Sequence, residues 1–339
     1  MKTAEPWLLD PSSPARIERY LADRGLLAPD GAPIQVSPAG AGNMNLVLRI
    51  TPAMGRPFIV KQGRPWVEKY PQIPAPFERT LVEAAFYAEV QADRGVARMM
   101  PAVRHFDADN HILVLEDVGA ARDLTSIYAG AAMPAGALDA LLAWLERLAT
   151  VSVPTDRRGI FANAAMRALN HEHIFRFPLA ADNGLDLDGI TPGLAAAARE
   201  LIDDRTYGAA VAGGGRRYLA DGTTLVHGDF FPGSWLHAED GVRVIDPEFC
   251  FLGDPEFDYG VLAAHLTIAQ ADAARLTQVA RAVEARALDA ALVTIYAAVE
   301  IMRRLIGVAQ LPIAFDLERK RALLQRSRRL VLSPHRGFA

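Results

Sequence analysis

Two stretches, VHGDFFPGSWL at Val226–Leu236 and VIDPEFCFLGDPEFDYG at Val244–Gly260, carry the densest chemical signal in this chain. In the first, His227, Gly228 and Asp229 follow the apolar run Leu225-Val226, so Asp229 is expected at a strand end. Taken alone, an Asx-turn between two strands explains the tripeptide as well as any chemistry does. The second stretch adds Asp246 and Glu248 at the end of another apolar run, Val242 to Ile245. Asp246 follows Asp229 by 246 − 229 = 17 residues, a spacing that suits a hairpin and predicts three carboxylates converging at adjacent strand ends. Carboxylates brought together are costly unless a cation sits among them. Hard oxygen donors suit Mg²⁺, and a base aspartate held apart from a metal-holding carboxylate is the arrangement phosphoryl transfer uses.

Working outward, the N-terminal third offers complementary pieces. Gly40-Ala41-Gly42-Asn43 falls between the β-type runs Ile34–Val36 and Leu46–Ile50. Small residues there let backbone N–H groups approach phosphates, although hairpin turns are commonly rich in Gly and Asn anyway. Lys61 closes the apolar run Phe58–Val60, where a surface charge at a strand end is the ordinary explanation. Glu83, on a helix expected over Glu78–Gln91, is a candidate partner for it. A phosphate-binding lysine held by a helix glutamate is a kinase arrangement. His111–Glu116, HILVLE, reads as a buried strand whose end suits a hinge meeting an adenine ring.

Length and composition bound the rest. The 339 residues suggest about two domains. With 36 Lys+Arg against 40 Asp+Glu, the net charge of −4 argues against a protein that coats nucleic acid. A 51% hydrophobic, 22% charged chain has the makings of a real core and excludes long disorder. The single cysteine, Cys250, excludes an intrachain disulfide and a multi-cysteine zinc site, and reads as a small buried hydrophobe. No apolar segment approaches the roughly 20 residues of a membrane span, and no signal-peptide pattern opens the chain, so a soluble cytoplasmic protein is expected. His171 and His173 form an H-x-H pair without an evident third ligand and read as surface histidines. Trp66 suits a substrate mouth or a packed loop equally well.

Periodicity predicts helices over Pro14–Leu27, Pro134–Thr150, Leu194–Ile202, Asp272–Ala291, Thr294–Val308 and Asp316–Leu332. The fold expected is therefore α+β: a small β-rich N-terminal lobe over residues 1–116 and a larger, mainly helical lobe over 117–339.

The order of these pieces resembles the aminoglycoside phosphotransferase and choline kinase superfamily, which has a protein-kinase-like fold, and within it the 5-methylthioribose kinases. The resemblance rests on GNMNLVLRI (42–50), VKQ (60–62), LVLEDV (113–118), the two stretches quoted first, and EIMRRLIGVA (300–309). It implies that Asp229 accepts the proton of a substrate hydroxyl, that Asp246 holds Mg²⁺ with Glu248 as second acidic ligand, and that Lys61 binds ATP phosphate with Glu83 beside it. It implies further that Gly40, Gly42 and Asn43 lie over the nucleotide, that Glu116, Asp117 and Val118 meet the adenine, and that Asp258 braces the loop of His227. Most of the superfamily carries Asn five residues after the catalytic Asp; here Ser234 stands there, as in methylthioribose kinases, with weaker help to the metal implied.

Arg303 and Arg304 fall where the family places substrate contacts, so the resemblance implies that the pair meets the sugar hydroxyls and disfavours a cationic acceptor. Neighbouring helix positions point about 100° apart, so at most one is expected to face a cleft squarely unless the helix end curls around it, while a surface charge or pairing with Glu300 is the plain alternative. Trp235 and the phenylalanines after Asp229 are expected to wall an alkylthio tail. The whole implies an ATP- and Mg²⁺-dependent small-molecule kinase with a sugar-like acceptor, no nucleic-acid or membrane partner, and room for a homodimer. The rivals are an aminoglycoside, amino alcohol or homoserine-like acceptor, a nucleotide-binding pseudokinase, and a carboxylate metallohydrolase, the last of which leaves Lys61, Glu83 and the hinge strand unexplained.

Overall fold

The strands Ile34–Pro38, Leu46–Pro52, Phe58–Gln62, Ile112–Glu116 and Val103–Asp107 form an antiparallel sheet in that spatial order. The computed structural model describes residues 7–27, 33–40, 44–311 and 313–338. Strand side chains alternate between faces. Leu46, Leu48 and Ile50, Phe58 and Val60, and Ile112 and Val114 all pack in one cluster with Leu9 and with Ile17, Tyr20 and Leu21 of the helix Pro14–Ala22. The period of two then turns Lys61, paired in register with Val47 and Leu113, to the opposite face of the sheet. There it meets the helix Arg79–Val90, whose buried residues include Arg79, Glu83, Phe86 and Tyr87.

The chain divides into two compact units, residues 1–121 with 243–248, and residues 122–242 with 249–339. The short return of 243–248 to the first unit was not in the sequence reading, which kept 117–339 in one piece. It follows from local bonding: the Val244 N–H donates to the Met99 carbonyl at 2.7 Å. The run Leu225-Val226 does not pair with the run Val242–Ile245. Instead Thr224–Val226 pairs antiparallel with Phe251–Gly253, and Trp235–Ala238 pairs with Arg122–Asp123. The buried side chains of Phe251 and Leu252 supply the apolar partner that the sequence reading had assigned to Val242–Ile245.

The second unit is mainly helical. Asp204, Asp272, Asp289 and Asp316 each cap a helix by accepting a backbone N–H of its first turn. The expected helix Asp272–Ala291 is in fact Ala273–Ala285; Ala287 takes a left-handed φ of 52°, and Asp289 then starts the helix Ala290–Ile306. Two of the longer helices were missed for opposite reasons. Arg205–Leu219 contains a Gly213-Gly214-Gly215 run with poor helix propensity, offset by the buried Tyr207, Val211 and Tyr218. Glu256–Ile268 is buried along its whole length from Phe257 onward, so no polar stripe marks its period. No helix among the described residues is long and apolar enough to cross a membrane.

The helices Glu256–Ile268 and Ala290–Ile306 meet at Gly260, where a Cβ would lie 2.6 Å from the Tyr296 Cβ and 3.0 Å from the Val293 carbonyl oxygen. Only backbone movement relieves such an overlap. Gly260→Ala is therefore expected to destabilise the protein by ~1–3 kcal/mol, as overpacking of a filled core does. Urea denaturation checks this; an unchanged midpoint contradicts the close packing.

Candidate active site

In the first unit a buried cluster of opposite charges forms around Lys61. Its Nζ contacts the Glu83 carboxylate at 2.7 Å and also bonds to Asp246. Glu248 is fixed from elsewhere: Asn45 Nδ2 donates to its Oε2 at 2.6 Å, and the Arg79 guanidinium lies 3.5 Å away. Arg79, wholly buried, also donates to Asn45 Oδ1 and to the carbonyls of Met44, Arg64 and Pro76, each at 2.7 Å. This arginine therefore ties the turn before Leu46 to the helix that carries Glu83.

Glu83, Asp246 and Glu248 each bring a carboxylate oxygen within 4.8 Å of the others. Two cations face three carboxylates. Burial, together with the neighbouring carboxylates, pushes Glu83 up to about 8 and Glu248 up to about 7 against the pull of Lys61. Lys61 moves the other way: burial would lower it, yet Asp246, Glu83 and Glu248 hold it well above the usual lysine value. The cluster is short of positive charge, and its donors are all hard oxygens, so the residues present fit a divalent cation such as Mg²⁺. Asp246 is the most accessible of the three, its side chain 45% exposed, and it takes a left-handed φ of 70°. Backbone in that region is costly for a residue with a Cβ, least so for Asp or Asn, and is often held at a functional site.

Other expected nucleotide residues are placed as follows. Gly40 is exposed beyond the strand Ile34–Pro38, while Gly42 and Asn43 lie outside the described residues. Glu116 ends its strand with its carboxylate accepting the Ala102 N–H at 3.2 Å. Asp117 forms an ion pair with Arg49 at 2.7 Å, and half-buried Val118 follows, past the end of the strand.

In the second unit the loop after Thr224–Val226 is held from beneath. The Asp258 carboxylate accepts the N–H of His227 at 2.7 Å and that of Gly228 at 3.0 Å. Burial pushes Asp258 up to about 7 against the pull of these donors. Gly228 has a φ of 84°, and a Cβ there would lie 2.1 Å from the Phe249 carbonyl oxygen, so only glycine fits. Buried His227 packs edge-on to Trp144 and receives the Asp229 N–H at 3.3 Å on Nδ1. The Ser234 hydroxyl donates to the Asp229 carbonyl at 3.1 Å.

The Asp229 side chain is 20% exposed, and its Oδ1 accepts from both Arg303 Nη2 and Arg304 Nη2, each at 3.0 Å. Oδ2 accepts no hydrogen bond from the described residues. Both arginines also donate through Nε to Glu300, at 2.5 and 2.7 Å. The expectation that at most one of them faces the site squarely gives way here. Glu300 stands three and four residues before them, so both long side chains curl around one carboxylate and converge on the next. Their Nε and Nη2 donors are engaged inside the protein, so these do not point outward to an acceptor. Trp235 is also corrected: it is wholly buried against Phe230, with ring centroids 5.2 Å apart, and cannot wall a substrate. Phe231 stays half-buried beneath the Arg304 guanidinium.

The outlying signals settle as packing. His171 stacks on Phe175 and His173 lies against Phe177. Cys250 is buried. Sequence reasoning missed Asn45, although it lies within the quoted stretch 42–50, Arg79, which no local pattern marks, and also His265 and Tyr128, which join Glu300 from distant segments.

A family model described as the phosphotransferase enzyme family matches residues 35–292. Among curated proteins, the methylthioribose kinase of Pectobacterium atrosepticum is 30% identical over 247 residues, 68% of this chain and 58% of that one. That of Erwinia tasmaniensis is 31% identical over 264 residues, covering 73% and 63%. The matched part of this chain thus spans about three fifths of the length of these relatives. Among solved structures, a choline/ethanolamine kinase family protein from Mesorhizobium loti aligns with a TM-score of 0.53 at 19% identity, over 95% of each chain. A choline kinase from Streptococcus pneumoniae aligns with a TM-score of 0.51 at 14% identity, over 94% and 98%. These structural likenesses establish a kinase-like fold.

Asp258→Asn keeps the shape of the brace but offers one acceptor oxygen to two N–H donors and turns an NH₂ toward the other. Leaving a buried donor unsatisfied is expected to cost ~1–3 kcal/mol. Faster amide hydrogen exchange at His227 and Gly228, with a lower urea midpoint, is the expected result; unchanged exchange contradicts the bracing.

Proposed function

The chain belongs to the phosphotransferase enzyme family, and from that premise we propose that it is an ATP- and Mg²⁺-dependent kinase of a small-molecule hydroxyl. The observation that carries this reading is Asp229: one carboxylate oxygen pinned by two arginines, the other open, on a loop braced by Asp258. A general base must hold its accepting atom still and leave it within reach of the proton. Asp229 Oδ2 takes the hydroxyl proton as the acceptor oxygen forms its bond to the γ-phosphorus and the bond to the departing ADP breaks. Ser234, in this reading, serves the base by fixing its carbonyl.

Lys61 takes the nucleotide phosphates, with Glu83 setting its direction. The backbone at Glu116–Val118 receives the adenine, and Gly40, Gly42 and Asn43 are assigned to the phosphates on the sequence resemblance alone. Asp246 and Glu248 would hold Mg²⁺, which when bound neutralises charge on the phosphate oxygens. A cell compartment rich in ATP, the cytoplasm, is where such an enzyme works.

For the acceptor, likeness to methylthioribose kinases favours 5-methylthioribose or a close neutral pentose. Arg303 and Arg304 do not argue against a cationic acceptor, because Glu300 and Asp229 balance their charge. A panel of methylthioribose, choline, homoserine and aminoglycosides with ATP and Mg²⁺, read by mass spectrometry for one added phosphoryl group, decides among them. Preference for a cationic acceptor would overturn the sugar assignment and leave the kinase reading standing.

Asp229→Asn is expected to lower kcat by ~10²–10⁴-fold, the usual loss of a general base, while nucleotide still binds. Full turnover in that variant refutes the role. Asp246→Ala should abolish turnover and Glu248→Ala should raise the Mg²⁺ concentration required; activity that survives EDTA rules the metal role out.

A further inference from the structure

Behind the arginine pair lies a buried chain of polar groups that the proposed chemistry does not use. Tyr128 Oη is 2.6 Å from His265 Nδ1, and His265 Nε2 is 2.9 Å from Glu300 Oε1. Tyr128 comes from the turn Leu124–Ala129, His265 from the helix Glu256–Ile268 and Glu300 from the helix Ala290–Ile306, and all three side chains are buried.

The hydrogen-bond roles follow from chemistry. The Arg303 and Arg304 guanidiniums hold Glu300 well below the usual carboxylate range despite its burial, so it can only accept. His265 must therefore donate from Nε2, which leaves Nδ1 bare to accept the tyrosine O–H. Burial, with Arg303 and Arg304 nearby, lowers His265 to about 4, so the ring stays neutral and adds no charge. Glu300, Asp229, Arg303 and Arg304 then sum to zero, a balance that a charged imidazole would upset.

Geometry gives the chain its task. Glu300 Oε2 accepts from Arg303 Nε, while Oε1 accepts from both Arg304 Nε and His265 Nε2. Without the histidine the carboxylate can rotate about its last bond, and both guanidiniums move with it. Their Nη2 atoms are what meet Asp229 Oδ1.

We infer that Tyr128 and His265 are positioning residues which, through Glu300, aim Arg303 and Arg304 at Asp229 and so set the direction of its open oxygen. The consequence for turnover rests on the reading of Asp229 as the base; the consequence for the arginines does not.

The test uses the full chain with His265→Leu, His265→Gln and Tyr128→Phe. Glutamine can place an N–H near the Nε2 position; leucine cannot. The first readout is the arginine Nε–H signals in ¹⁵N NMR, assigned with Arg303→Lys and Arg304→Lys. The signals of Arg303 and Arg304 should be sharp and protected from solvent in the starting protein and in His265→Gln, but lost to exchange in His265→Leu. Tyr128→Phe, which removes a single oxygen, should broaden them and serves where the leucine variant does not fold. The second readout is kinetic. Misaiming a reactive group by about 1 Å costs on the order of 10²-fold, so kcat should fall ~10–100-fold in His265→Leu, recover in His265→Gln, and leave the ADP dissociation constant unchanged.

Arginine signals that stay protected in both His265→Leu and Tyr128→Phe overturn the inference, as does a glutamine variant no better than the leucine one. If the starting protein phosphorylates no acceptor, the kinase reading fails, and the NMR result still decides the positioning role.

Discussion

A charge removed from water must find a partner or change its protonation, because the cost of leaving it alone exceeds what most other interactions can return. Each unit of this protein is arranged around that constraint. In the first, Lys61 and Arg79 lie among Glu83, Asp246 and Glu248. In the second, Glu300 lies between Arg303 and Arg304, which share Asp229. Pairing confines each side chain to few rotamers, and confinement is what turns a flexible lysine or arginine into a directional group.

The two networks differ in their balance. Around Asp229 the charges cancel, the His265 ring behind the arginines is held neutral, and one carboxylate oxygen is left over. Around Lys61 negative charge is in excess, and it adds to the upward shifts of Glu83 and Glu248 that burial sets in the first place. The left-handed backbone at Asp246 belongs to the same network: its conformational cost is borne at a residue whose side chain bonds to Lys61. A balanced network suits a fixed base, and a deficient one suits a site that takes up a cation.

Backbone packing supplies the rigidity under Asp229. Asp258 satisfies two consecutive N–H groups, and the contact between Gly228 and Phe249 excludes any side chain at that point. The loop is therefore stabilised by a few contacts of high specificity, while the surrounding aromatic residues Trp144, Phe230 and Trp235 fill space beneath it.

The sequence by itself determined the strands around Lys61, several of the helices, and the charged residues of both networks other than Arg79. Those features are local: a period of two or of 3.6, a lysine ending an apolar run, carboxylates beside glycine and proline. It also led to family membership, through the order of its short motifs. Pairing was beyond it. The strand beside Leu225-Val226 proved to be Phe251–Gly253 and not Val242–Ile245, since both runs are short and apolar and only the packed core distinguishes them. The helix Glu256–Ile268 was hidden because burial on all sides erases the polar stripe that marks a helix. Tertiary structure alone decided that Asn45 and Arg79 hold Glu248, that Trp235 is core, and that Arg303 and Arg304 both turn inward. Each of these depends on which distant side chain shares a buried space, and long-range proximity of that kind leaves no periodic trace along the chain.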